Sequence, residues 1–85
     1  MYGIVQRYTD MGIIEAHIME EEELTTFLCN YESQGFSKEC SNVYYKSDMW
    51  DDIYVDIYST IEEAQEQLVG FLEAIEHDKE DFKNE

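Results

Sequence analysis

The sequence predicts an α+β fold of order ββαββα: a four-stranded antiparallel sheet from two hairpins, with two helices packed on one face. Three observations predict it. Ile53, Val55 and Ile57 alternate with Asp52, Tyr54, Asp56 and Tyr58, the period-two pattern of a strand buried on one side. Leu24, Phe27, Leu28 and Tyr31 fall at i, i+3, i+4 and i+7, the stripe of a helix buried on one side. The chain also runs twice through one course: strand, Asp-Met turn, strand, acidic helix. Thr9-Asp10-Met11 and Ser47-Asp48-Met49 occupy equivalent turns, and Leu24, Leu28 and Tyr31 are matched by Ala64, Leu68 and Phe71.

Each element has its own local signal. Gly3 to Tyr8 reads as a first strand, and Thr9-Asp10-Met11-Gly12 as the turn that folds it back. Ile13 to Met19 is the second strand, with Ile14, Ala16 and Ile18 expected on one face and Ile13, Glu15 and His17 on the other. Glu20 to Gln34 reads as a helix with Glu20 through Glu23 at its positive end and Gly35 as its stop. Phe36 to Asn42 reads as a polar connection. Val43 to Lys46 and Asp52 to Tyr58 form the second hairpin, around Ser47-Asp48-Met49-Trp50-Asp51. Ser59 or Thr60 caps the last helix, with Glu62 or Glu63 completing a capping box in either register. Ile61, Ala64, Leu68, Leu72 and Ile75 supply its buried stripe. From His77 the chain turns polar, where fraying is expected, with the last few residues loose.

Eighty-five residues make a single domain (1–85), and 44% apolar content supplies one small core. Charge dominates the rest. Twenty-one Asp and Glu face five Lys and Arg, a net charge of −16. Such an excess repels itself and lowers stability. It makes nucleic acid and anionic membranes poor partners and a basic protein a good one. Met1-Tyr-Gly-Ile-Val-Gln-Arg7 lacks the basic start and long apolar run of a secretory signal, and no run approaches the roughly 18 apolar residues of a membrane span. A cytoplasmic location with reduced Cys29 and Cys40 is therefore expected.

The motifs of chemistry are missing. Asp48-Met-Trp-Asp-Asp52 lacks the spacing and the glycine of an EF-hand loop, His17 and His77 have no partner at zinc spacing, and the cysteines are not CxxC. Loose binding of divalent cations is expected, but no dedicated metal and no cofactor. Cys29 reads as a small core or boundary residue beside Leu28 rather than a nucleophile. No nucleophile elbow, phosphate-binding loop or dinucleotide fingerprint occurs. A glycosidase-like carboxylate pair would need a cleft that so small a core leaves little room for. The expectation is a protein that is not an enzyme.

What remains is an acidic surface interleaved with tyrosine, expected on the sheet face that the helices leave open. It carries Asp52, Tyr54, Asp56 and Tyr58, joined by Glu15 and His17; Asp48, Trp50 and Asp51 in the turn are further first candidates for contact, and Glu62, Glu66, Glu73 and Glu76 on the outer face of the last helix come second. Trp50 is either buried under the sheet edge or exposed as an anchor, the residue type that dominates interfaces. Alternate strand residues lie about 6.6 Å apart and helix residues at i and i+4 about 6 Å apart. These spacings approach those of phosphates along a nucleic-acid strand.

In size, charge and architecture the chain resembles phage-encoded DNA-mimic inhibitors of the anti-restriction and anti-CRISPR type. The scattered acids just named carry that resemblance; it covers composition over the whole chain and includes no signature motif. It implies steric blockade of the nucleic-acid-binding site of a host defence nuclease, such as a CRISPR-Cas or restriction enzyme, within the host cytoplasm. Immunity proteins and antitoxins that fill a basic toxin nuclease's active site with Asp, Glu and Tyr are similar as well. A third class is an acidic adaptor or regulatory subunit of a non-nuclease partner. The partner in the first two is a basic nuclease, not nucleic acid or membrane, and the chain is a monomer or a small homo-oligomer.

Overall fold

Five strands and two helices form in the computed structural model, which describes residues 1–83, their side chains through residue 76. In order they are β1 (Tyr2–Thr9), β2 (Gly12–Met19), α1 (Glu21–Asn30), β3 (Ser37–Cys40), β4 (Val43–Asp48), β5 (Asp51–Tyr58) and α2 (Ile61–Lys83). The class is α+β as the patterning predicts, but the sheet has five strands rather than four, all antiparallel, in the order β2-β1-β5-β4-β3. The extra strand is β3, inside the stretch expected to be a polar connection. All four of its residues are exposed. An edge strand with no buried side has no apolar alternation to betray it, and its shortness and Lys38 suit an edge.

The two helices lie on opposite faces of the sheet, which overturns the expectation of one shared face. Gly3, Val5 and Arg7 of β1 are in register with Ile57, Val55 and Ile53 of β5, and Val55 with Tyr44 of β4, so these side chains share one face. Leu24 and Phe27 of α1 close over it, forming a core with Met19, Tyr44 and Val55. Gly3 permits that approach: a Cβ there would stand 3.2 Å from both Leu24 and Met19 side chains. Ile4 and Ile13 point the other way, buried, with Ala16 and Ile18 half-buried beside them. α2 lies against β2, and more lightly β1 and β5, and its Ala64 is fully buried. Central β1 therefore carries adjacent apolar residues, Ile4 and Val5, because both of its faces are covered.

α1 stops at Asn30, short of the expected Gln34, because the chain closes into a turn over residues 31–35. Beyond α1 the Phe36 N–H reaches the Tyr31 carbonyl at 3.0 Å and the Gly35 N–H reaches that of Glu32 at 3.1 Å, with Gly35 at φ 92°. This is a Schellman closure, and Phe36, just past the glycine, packs edge-on against Phe27 at 5.0 Å between ring centres. At α2 the Thr60 hydroxyl accepts the Glu63 N–H at 3.2 Å, selecting the Thr60 register of the two possible caps. The inward stripe of α2 is Ile61, Ala64, Leu68, Phe71 and Ile75; Leu72, expected in it, is exposed. The helix continues to Lys83, past His77, and the expectation of loose final residues falls on Asn84 and Glu85, outside the described residues.

Candidate functional site

Antiparallel order puts the β1–β2 and β4–β5 turns at the same end of the sheet, because Tyr8 pairs with Asp52. The second turn is a two-residue loop, Met49-Trp50, closed by the Asp48–Asp51 pair. Tight hairpin loops favour glycine or asparagine where φ is positive. Here Met49 occupies that position at φ 52°. Met49 is 87% and Trp50 82% exposed, so of the two alternatives Trp50 takes the exposed one and is not buried under the sheet edge. Met11, in the neighbouring turn, is exposed as well.

From this tip the strand face runs back along β5. Asp52, Tyr54, Asp56 and Tyr58 share one face, as their alternation requires. It is the face α2 packs on, but α2 favours the β2 side, and the β5–β4 side stays at least partly open. Cross-strand neighbours assemble a tyrosine cluster there. Tyr54 packs edge-on against Tyr8 at 5.6 Å and in a tilted arrangement against Tyr45 at 5.0 Å between ring centres. The Tyr45 hydroxyl donates to Asp52 at 2.7 Å. That bond ties up the hydroxyl proton and raises the Tyr45 pKa. Farther along, burial pushes the Asp56 carboxyl up, opposed by a hydrogen bond from Gln6. Burial is also the main cause that raises Tyr58, with the negative charges of Asp56 and Glu63 adding to it. Glu63 of α2 thus extends this acidic ground, a contribution the capping signal obscured. Tyr8 and Tyr45 belong to it too; their membership depends on cross-strand register.

The geometry separates several of the expected site residues from the β5 face. Glu15 and His17 lie on the opposite face, aligned with Arg7 and Val5. A bulge in the β1–β2 pairing between Arg7 and Tyr8 places Ile13 with Ala16 and Ile18 and leaves Ile14 exposed. Asp51 also faces away from Asp52 and is bound to Arg7 at 2.9 Å, with Glu15 at 3.9 Å from the same guanidinium. Both acids are therefore engaged internally. Glu62, Glu66, Glu73 and Glu76 are exposed, within about 80° of one another around α2 at 100° per residue, turned away from its buried stripe. They form a separate outward row, outside the buried stripe as the patterning predicts. Cys29 is exposed rather than a core or boundary residue, and Cys40 is exposed too.

Among the described residues no group of three or more His, Cys, Asp or Glu side chains is placed to hold a metal ion, and no helix is long and apolar enough to cross a membrane. The ion pairs among the described residues engage Glu15, Glu21 and Asp51, whereas Asp48, Asp52, Asp56, Glu62 and Glu66 take part in none of them. The arrangement can therefore present unneutralised carboxylates, flanked by ordered tyrosine rings and an exposed tryptophan, to a partner. No protein-family model, curated protein or solved structure matches the chain, so this surface has to be interpreted from its own chemistry.

Proposed function

We propose that this chain is a non-catalytic inhibitor that docks the Asp52–Tyr58 face and the Met49-Trp50 tip onto the basic nucleic-acid-binding surface of a partner protein. The carboxylates take the place of backbone phosphates, and the tip enters an apolar slot beside the basic groove. The partner class that suits this chemistry is a host defence nuclease. The observation that carries the reading is the open acid–tyrosine face of β5, whose Asp52 and Asp56 have no cationic partner among the described residues. Aromatic rings with polar tips are the side chains enriched at interface cores. A net charge of −16 steers the encounter with a basic groove.

The test is capture of partners on the immobilised chain from a lysate of the producing cells, repeated with duplex DNA or RNA as competitor. A nucleic-acid-binding protein released by competitor supports the proposal; partners held equally with and without competitor defeat it. With the purified partner, affinity should fall steeply as salt rises. Trp50, the single tryptophan, should shift its fluorescence to shorter wavelength as it leaves water.

A further inference from the structure

The face covered by α1 holds a feature that the inhibitor reading does not use. A ten-residue helix is about 15 Å long, whereas the eight-residue strands beneath it are about 26 Å long. α1 crosses from Gly3 and Met19 toward Tyr44 and leaves one corner of the sheet uncovered. A half-open hollow of about 300 Å³ remains there. Val5, Ile53 and Val55 floor it, and the edge-on rings of Phe27 and Phe36 form a wall.

The rim carries charge of both signs. Of five Lys and Arg, two line this hollow, Arg7 and Lys46, together with His17 and one carboxylate, Glu15. Arg7 is occupied by Asp51 at 2.9 Å and Glu15 at 3.9 Å, and His17 stands 4.0 Å from Glu15. Lys46 is different. In a chain of 21 acids, no carboxylate among the described residues lies within ion-pair distance of it. Its ammonium instead sits 5.7 Å from the centre of the Phe36 ring. Its stem passes over Gly35, where a Cβ would meet it at 3.5 Å. An ammonium held in place without a carboxylate, at the edge of an apolar hollow, lacks one partner.

We propose that this hollow binds a small monoanion with a compact apolar body, a carboxylate whose head pairs with Lys46 and whose body rests on Val5, Ile53 and Val55. One free cation suits one negative charge; a phosphate dianion would need Arg7, which is already engaged. The volume is at the lower end of small-molecule sites, roughly 300–1,000 Å³, and suits a body about the size of a single ring. The site is independent of the inhibitor surface, which lies on the opposite sheet face.

Benzoate is the probe, with benzyl alcohol as its uncharged counterpart, titrated into the ¹⁵N-labelled full chain by NMR. Benzoate should shift the amides of Val5, Ile53 and Val55 saturably, and benzyl alcohol should bind about tenfold more weakly. Lys46→Met keeps the apolar stem over Phe36 and removes the charge. It should weaken benzoate about tenfold, leave benzyl alcohol unchanged and keep the rest of the spectrum in place. No saturable shift at the hollow, equal binding of both probes, or undiminished benzoate binding by the folded Lys46→Met variant would overturn the proposal.

Discussion

The two faces of this sheet carry opposite electrostatic designs over similar apolar cores. On the α1 side, acids meet cations: Arg7 holds Asp51 and Glu15 between adjacent strands. On the α2 side, Asp52 and Asp56 lie among tyrosines with no cation at hand among the described residues. The charge of −16 is thus not a uniform coat. Neutralisation occurs where the chain needs two hairpins tied together, and is withheld where a surface faces outward. A carboxylate paired internally has little left to offer a partner, so the second face is the better candidate for docking.

The largest effect tests whether the acidic face is also a folding face. Ile4 is fully buried on it, beneath α2. Ile4→Ala should cost about 2–5 kcal/mol, by lost burial and a residual cavity. Stability of small domains is about 5–15 kcal/mol, so much of it would go. Urea denaturation measures this. A cost below about 1 kcal/mol would mean that α2 does not seal this side.

Next comes the contrast in charge. Asp52→Lys with Asp56→Lys should weaken partner binding at least about 100-fold, about 2.7 kcal/mol, while the thermal midpoint holds, since the change lowers net negative charge. Asp51→Asn should instead lower stability by about 0.5–1 kcal/mol, because Arg7 keeps only Glu15 as a charged partner, and leave binding nearly intact. If Asp51→Asn weakens binding as much as the double variant does, the distinction between spent and available acids collapses.

How much of this contrast was legible beforehand depends on what each signal encodes. Period two within β5 places Asp52, Tyr54, Asp56 and Tyr58 together, because alternation is a property of one strand. The Leu24–Tyr31 stripe, Gly35 and Thr60 likewise announce local geometry. Glu15 was misplaced because its face depends on pairing between strands, and a one-residue bulge at Ile14 reverses the parity. Asp51, read as part of the turn, is instead the first residue of β5, where alternation turns it away from Asp52. β3 escaped because an edge strand exposed on both faces has no pattern. The adjacent apolar pair Ile4-Val5 was the available sign that a central strand is covered twice, and so that the helices divide between faces. The hollow over Ile53 follows from the length of α1 relative to the strands, which no motif records.

A smaller effect separates stability from function at the turn. Met49 holds a positive φ that glycine adopts freely. Met49→Gly should therefore stabilise the chain by up to about 1 kcal/mol, raising the thermal midpoint about 4–8 °C. If the tip is an anchor, the same variant should bind the partner several-fold more weakly. Greater stability with unchanged binding would remove Met49 from the contact and leave Trp50 as its anchor.

The smallest effect concerns Asp56, where the two designs meet. Burial raises its carboxyl above the ordinary aspartate range, and the Gln6 bond only partly restores it. The folded chain then keeps this proton to a higher pH than the unfolded chain does. Stability contributed by Asp56 therefore falls as pH rises through the interval just above the ordinary aspartate value, and stays lower at neutral pH. Asp56→Asn abolishes that loss and leaves an oxygen to accept from Gln6. The variant should gain a few degrees in thermal midpoint at pH 7, about what tenths of a kcal/mol produce, and nothing where the wild-type carboxyl is already protonated. Asp10→Asn, at an exposed turn, makes the same change in net charge without the burial. A gain at pH 7 for Asp56→Asn that exceeds the gain for Asp10→Asn isolates the cost of desolvating Asp56. Equal gains would assign the effect to net charge alone, and Asp56 would then be no different from any other acid on the chain. A desolvated carboxylate kept at a stability cost, by contrast, is what a surface selected for its partner rather than for its own fold would retain.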